Sequence, residues 1–134
     1  MGFQVADASD PPLQRIAFEA ALWTAALYAE HPRHNTDSKE NIGATWLRIY
    51  RHRKRGDGDD KDSYQMRFHR LISCDREELP DQLLAIVRLA ASKGFAVNYD
   101  LLYNDLRYWG ERTKLRWAKQ FHAVKQSDGD EEGQ

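Results

Sequence analysis

The stretch from Leu79 to Phe121, LPDQLLAIVRLAASKGFAVNYDLLYNDLRYWGERTKLRWAKQF, decides how the chain reads. Between Leu83 and Ala91 only Ala85 and Arg88 fall on the polar edge that Asp81 and Ser92 extend. A helix that is apolar almost all round belongs in the middle of a bundle. Glu77, Glu78 and Asp81 gather around Pro80, where the helix dipole favours acids and proline already holds a helical φ. Gly94 suits the C-terminal cap of this helix, and Asn98, followed by Asp100, suits the N-cap of the next. Leu102, Leu106 and Trp109 form the stripe of that next helix, which Gly110 breaks. Trp117, Phe121 and Val124 form the stripe of the last one, whose outer side carries Arg112, Arg116 and Lys119.

Upstream, Leu13, Ile16, Ala20, Trp23 and Leu27 follow at steps of three and four, which predicts a helix that Pro32 ends. The link HPRHNTDSKEN reads as polar loop. A second helix is expected from Asn41 to about Lys54, with Ile42, Trp46 and Ile49 as its apolar stripe and Arg48, Arg51 and Arg55 opposite. After the acidic, Gly-containing loop RGDGDDKD, a short third helix gathers Tyr64, Phe68, Leu71 and Ile72, with Arg67 and Arg70 toward its flank. No strand-type alternation of useful length and no internal repeat occurs. The expected fold is all-α, a compact bundle of about six helices. Residues 1–11 read as a flexible arm, 12–125 as a single helical domain and 126–134 as a disordered acidic tail.

The composition agrees with a folded chain. At 134 residues the length suits one domain with its own core, and an apolar share of 41% is unlike a disordered chain. The net charge of −1 conceals an uneven distribution. Without the acidic residues 1–10 and 126–134, 20 bases face 15 acids, and without the 57–62 loop 19 face 11. The folded body is therefore basic. A single cysteine, Cys74, precludes an internal disulfide and fits a reducing compartment. Neither a membrane span nor a secretory signal is present, so a cytoplasmic location is expected.

Catalytic chemistry finds little footing. His31 and His34 flank Pro32-Arg33 without the Cys pair or HExxH helix that a metal site would add, so they read as ordinary loop histidines. His52 and His69 sit in basic helices, and His122 beside Phe121 reads as half-buried. Asp105 lies close to an apolar stripe, where pairing with an arginine is the better reading than a general base. No paired carboxylate, nucleophile elbow, phosphate-cradling glycine loop or Cys-His arrangement occurs. No catalytic residue, metal or cofactor is expected. Tyr103, Tyr108, Trp109, Trp117 and Phe121 could stack bases, but their helical spacing with leucines assigns Trp109 and Trp117 to the core.

The basic residues read differently. Arg48, Arg51, Arg53, Lys54 and Arg55 place five permanent charges within eight positions. Arg67, Arg70, Arg112, Lys114, Arg116 and Lys119 add to them, and the surplus of arginine suits bidentate contact with phosphate. A helix face solvated and balanced by nearby aspartates is the competing reading.

In the order of its segments the chain resembles the CasB family, the small subunit of the type I-E CRISPR surveillance complex Cascade. The resemblance begins at ALWTAALYAEH, recurs at NIGATWLRIYR and MRFHRLISCD, and is densest from Glu78 to Phe121. Its marks are Arg67-Phe68 before Leu71-Ile72, the leucine-rich run Leu83 to Ala90, Gly94, Asp105-Leu106 with Trp109, and Trp117 with Phe121. It covers roughly residues 18 to 122. The chain departs from many relatives in its short N-terminal side, the acidic loop and the acidic tail. The resemblance implies a non-catalytic, all-helical subunit, present as a pair among the backbone and large subunits of Cascade. Such a subunit contacts the crRNA and target DNA and holds the displaced strand of the R-loop on a basic surface. Candidate contacts are Arg67, which matches a basic family position, Arg48, Arg51, Arg112 and Arg116 from helix geometry, and Arg53, Lys54, Arg55, Arg70 and Lys119 from the basic clusters around them. An adaptor that meets only neighbouring proteins is the alternative.

Overall fold

The computed structural model describes residues 11–53 and 61–132. Among them run six α-helices: α1 (Pro11–Glu30), α2 (Ile42–Arg51), α3 (Lys61–Ser73), α4 (Leu79–Lys93), α5 (Tyr99–Arg107) and α6 (Glu111–Glu132), with a 3₁₀ turn at Arg76–Glu78. The fold is all-α and compact, as expected. Residues 1–10 of the arm and 54–60, with Lys54, Arg55 and most of the acidic loop, lie outside the described residues, whereas Pro11 opens α1 and Lys61 and Asp62 open α3.

Local signals set most boundaries. The Asn41 side chain accepts from the Ala44 N–H at 3.0 Å, and that of Asn98 accepts from the Leu101 N–H at 2.9 Å, so each satisfies an otherwise unpaired donor of a first turn. Gly94 ends α4 with φ at 78°, the left-handed conformation that glycine adopts without a Cβ clash. The second helix stops at Arg51, short of the expected Lys54, with His52 as its cap.

α4 is the central element: Leu79, Leu83, Ile86, Val87 and Ala90 are buried, and it packs against α1, α2 and α3. Two further helix pairs close the bundle, α2 with α6 and α1 with α5. The first pair is very close. A Cβ on Gly43 would lie 2.9 Å from the Cα of Trp117 and nearer still to its carbonyl oxygen. Beyond this crossing the rings of Tyr50, Tyr64, Phe68 and Phe121 meet one another between α2, α3 and α6, and the Trp46 indole donates to the Tyr64 carbonyl at 3.0 Å.

Two links described by the sequence as loop are stitched together. Val97 N–H donates to the Arg33 carbonyl and Asn35 N–H to the Val97 carbonyl, forming an isolated parallel bridge at His34 and Val97. His31 is buried, donating through Nε2 to the Phe95 carbonyl at 2.6 Å, while its own carbonyl accepts from the Tyr99 hydroxyl at 2.5 Å. It is thus a structural histidine, unlike the ordinary loop residue expected. Buried backbone carbonyls need donors, and His31 and Tyr99 supply them.

The α1 stripe is only partly covered. Ala20 and Leu27 are buried and Ile16 and Trp23 half-buried, whereas Leu13, Phe18 and Leu22 are exposed. No helix of the described residues is long and apolar enough to cross a membrane.

Candidate nucleic-acid interface

The bases divide into three groups according to what surrounds them. The first stands at the end of α2. Arg48 donates to Glu40 at 3.0 Å, and its guanidinium lies 4.9 Å from the centre of the Phe95 ring. Glu40 is buried and also accepts from the Thr45 hydroxyl. Arg48 therefore neutralises a buried carboxylate, which an unpaired acid in that position would require. Arg53 folds back onto Tyr50, with its guanidinium 4.2 Å from the ring centre and a hydrogen bond to the Tyr50 carbonyl. Arg51 is exposed in the last turn of the helix.

The second group is Arg67 and Arg70, both exposed on α3. They line a cleft with Trp46 and with Gln82, Ala85, Ile86 and Leu89 of α4. The rest of that lining is apolar apart from the Gln82 amide.

The third group lies where α6 passes the start of α2. Arg116 and Lys119 line a cleft with Ser38, Lys39, Asn41, Leu101, Asp105 and Gln120. Arg116 is held at 3.6 Å from Asp105 Oδ1 and donates to the Thr113 hydroxyl at 3.1 Å, yet its side chain stays 52% exposed. Arg112, one turn earlier, is exposed. Asp105 itself is buried and accepts the Trp117 indole N–H at 2.8 Å. Burial raises its pKa, opposed by the Trp117 hydrogen bond and by Arg116. The expected pairing of Asp105 with an arginine is what the structure contains.

The fold does not gather all the predicted bases on one surface. α2 spans about 15 Å from Asn41 to Arg51 at 1.5 Å per residue, so Arg51 stands at the opposite end from the Arg116 cleft. Lys54 and Arg55 lie outside the described residues.

Three structurally placed residues escaped the sequence reading. Lys39 joins the third cleft from a polar loop with no periodicity to mark it. Glu40 is the carboxylate that occupies Arg48. Arg76, within an acidic run, lies over Trp23, pairs with Glu19 at 3.6 Å and donates to the Leu106 carbonyl at 2.8 Å, which ties α1 to α5. Trp117 is fully buried as assigned, whereas Trp109 is only half-buried, tilted against Trp117. His122 is exposed rather than half-buried, with its ring edge on Phe68 and Phe121. Among the described residues no group of three or more His, Cys, Asp or Glu is placed to hold a metal.

Comparison with known proteins adds the lineage. The crystal structure of CasB from Thermus thermophilus matches at 21% identity with a TM-score of 0.65, covering 81% of this chain and 64% of that one. The crystal structure of M. ruber CasB matches at 20% identity with a TM-score of 0.73, covering 93% of this chain and 74% of that one. At such identities the likeness speaks for the fold, and the chain spans less than two thirds of the T. thermophilus protein. None of the curated proteins matches. The family model of the CRISPR-associated protein Cse2, however, matches residues 7–122, nearly the whole folded body, and the chain belongs to that family.

Proposed function

We propose that this chain is the non-catalytic small subunit of a cytoplasmic type I-E Cascade, seated with a second copy among the backbone and large subunits. Its basic surface contacts the crRNA and target DNA region and stabilises the displaced strand of the R-loop. The observation that carries the reading is the family match over residues 7–122, joined to exposed Arg70, Arg112 and Lys119. Among the described residues no carboxylate pairs with these three. Sequence is read by the guide RNA, so such a subunit needs only charge directed at phosphate. R-loop formation is a near-balanced exchange, which a few backbone contacts tip.

The test is R-loop lifetime in reconstituted Cascade carrying Arg70→Gln, Arg112→Gln and Lys119→Gln together. The expected result is a shortened lifetime with a salt dependence shallower by about two, given a slope near 0.7 to 0.9 per phosphate contact. An unchanged lifetime with the variant incorporated overturns the reading. The alternative, an adaptor that meets only protein, draws on Phe18 and Leu22, 65% and 52% exposed on α1. Crosslinks from the basic faces to protein alone in the assembled complex would favour it.

A further inference from the structure

We infer that the cleft between the start of α2 and α6 is a seat for a single nucleic-acid backbone phosphate, held by Lys39, Arg116 and Lys119. The inference rests on the functional reading above and narrows it to one site. Three cations from two distant parts of the sequence line this cleft against one carboxylate, Asp105. That carboxylate is 2% exposed, accepts from Trp117 and is ion-paired with Arg116 at 3.6 Å, so it offers the cleft little free acid.

The two acids beside Lys39 in sequence, Asp37 and Glu40, do not line the cleft. Asp37 Oδ1 accepts the Lys39 backbone N–H at 2.9 Å, closing the turn before α2. Glu40 faces Thr45 and Arg48. Neither Lys39 nor Lys119 forms an ion pair among the described residues. Arg116, by contrast, is oriented by Thr113 and Asp105 while half its side chain remains open to solvent. One anchored guanidinium beside two exposed lysines suits a monovalent phosphodiester, because the fork fixes the oxygens and the lysines add charge without demanding geometry. Ser38 and Gln120 contribute neutral donors at the rim. None of the residues that line the cleft is aromatic, so it offers no ring for a base to stack on.

The experiment compares Lys39→Gln and Lys119→Gln, each alone, with an Arg70→Gln/Arg112→Gln double variant, in reconstituted Cascade on a target whose phosphates are replaced one at a time by neutral methylphosphonate. The replacements are made in the displaced strand, the target strand and the crRNA in separate arms, which identifies the source of the phosphate. Each cleft variant is expected to shorten the R-loop lifetime relative to wild type, with a defect about threefold larger at 50 mM salt than at 200 mM, the loss of one phosphate contact. At one position the methylphosphonate should cost as much as Lys39→Gln, and the two together no more than either. Full additivity at every position, or unchanged lifetimes for both cleft variants while the double variant shortens it, overturns the phosphate seat and leaves the functional reading standing. Unchanged lifetimes for all three variants overturn both.

Discussion

The indole of Trp117 donates to Asp105 at 2.8 Å inside the bundle, and Arg116, its neighbour in sequence, approaches the other oxygen of the same carboxylate at 3.6 Å. One buried acid thus fixes the angle between α5 and α6 and orients the cation that reaches the surface. Removing it as Asp105→Ala leaves a buried indole donor without an acceptor, a loss of about 2 to 3 kcal/mol. Urea unfolding followed by circular dichroism measures it, and a change below 1 kcal/mol would contradict the assignment.

The same residue sets a pH dependence. Burial raises the Asp105 pKa, so the folded state binds this proton more tightly than the unfolded chain does. Its contribution is greatest below the ordinary carboxylate range and is lost as pH rises through the raised folded value. Asp105→Asn keeps an acceptor for Trp117 but cannot titrate. Wild type should therefore gain stability relative to Asp105→Asn as pH falls from neutral into the carboxylate range, read from paired thermal melts. A gap that moves the other way would refute the sign.

Gly43 has no room for a side chain, since a Cβ there would meet the Trp117 backbone rather than a movable side-chain tip. Gly43→Ala should separate α2 from α6 and cost about 3 kcal/mol, at the upper end for overpacking. By contrast, a Cβ at Gly110 would meet nothing within 4 Å, so Gly110→Ala serves as the control in the same denaturation series.

Tyr99 closes α5 onto the end of α1 through its hydroxyl bond to the His31 carbonyl. Burial, reinforced by Tyr28, pushes its pKa up to about 12. The stabilisation is present below the ordinary tyrosine range and is lost as pH rises through about 12. Tyr99→Phe should cost about 1 to 2 kcal/mol at neutral pH and remove the latest step from the alkaline phenolate absorbance titration.

Arg48 is expected to matter for folding more than for DNA. Arg48→Gln leaves Glu40 buried without its counter-charge, and because the Arg48 side chain is 41% exposed the cost should be near 1 to 2 kcal/mol, below that of a fully buried pair. Pairing it with Glu40→Gln should recover much of the loss in a double-mutant cycle. An R-loop defect in Arg48→Gln that survives in the double variant would instead make Arg48 a contact residue.

The helices, their caps and the core were legible in the sequence because each depends on neighbours within one or two turns. Asn41, Gly94 and Asn98 act on backbone groups three or four residues away. The stripes of α2, α4 and α6 bury Ile42, Trp46, Leu83, Val87, Trp117 and Phe121 as their spacing requires. A partial failure such as the exposed Leu13 has the same origin, for periodicity identifies an apolar face without saying what covers it.

The sequence by itself determined a basic, all-helical body with a central α4 and a family signature written in its core. Which of its many arginines face outward with charge to offer was settled only by the tertiary structure. Arg48 carries the same helical spacing as a surface base, but Glu40 and Phe95 take it up. Lys39 carries no spacing at all, yet chain folding sets it beside Arg116 and Lys119. Helical phase is a short-range property of the backbone, whereas the charge a cleft presents is a sum over residues that meet only when the bundle closes.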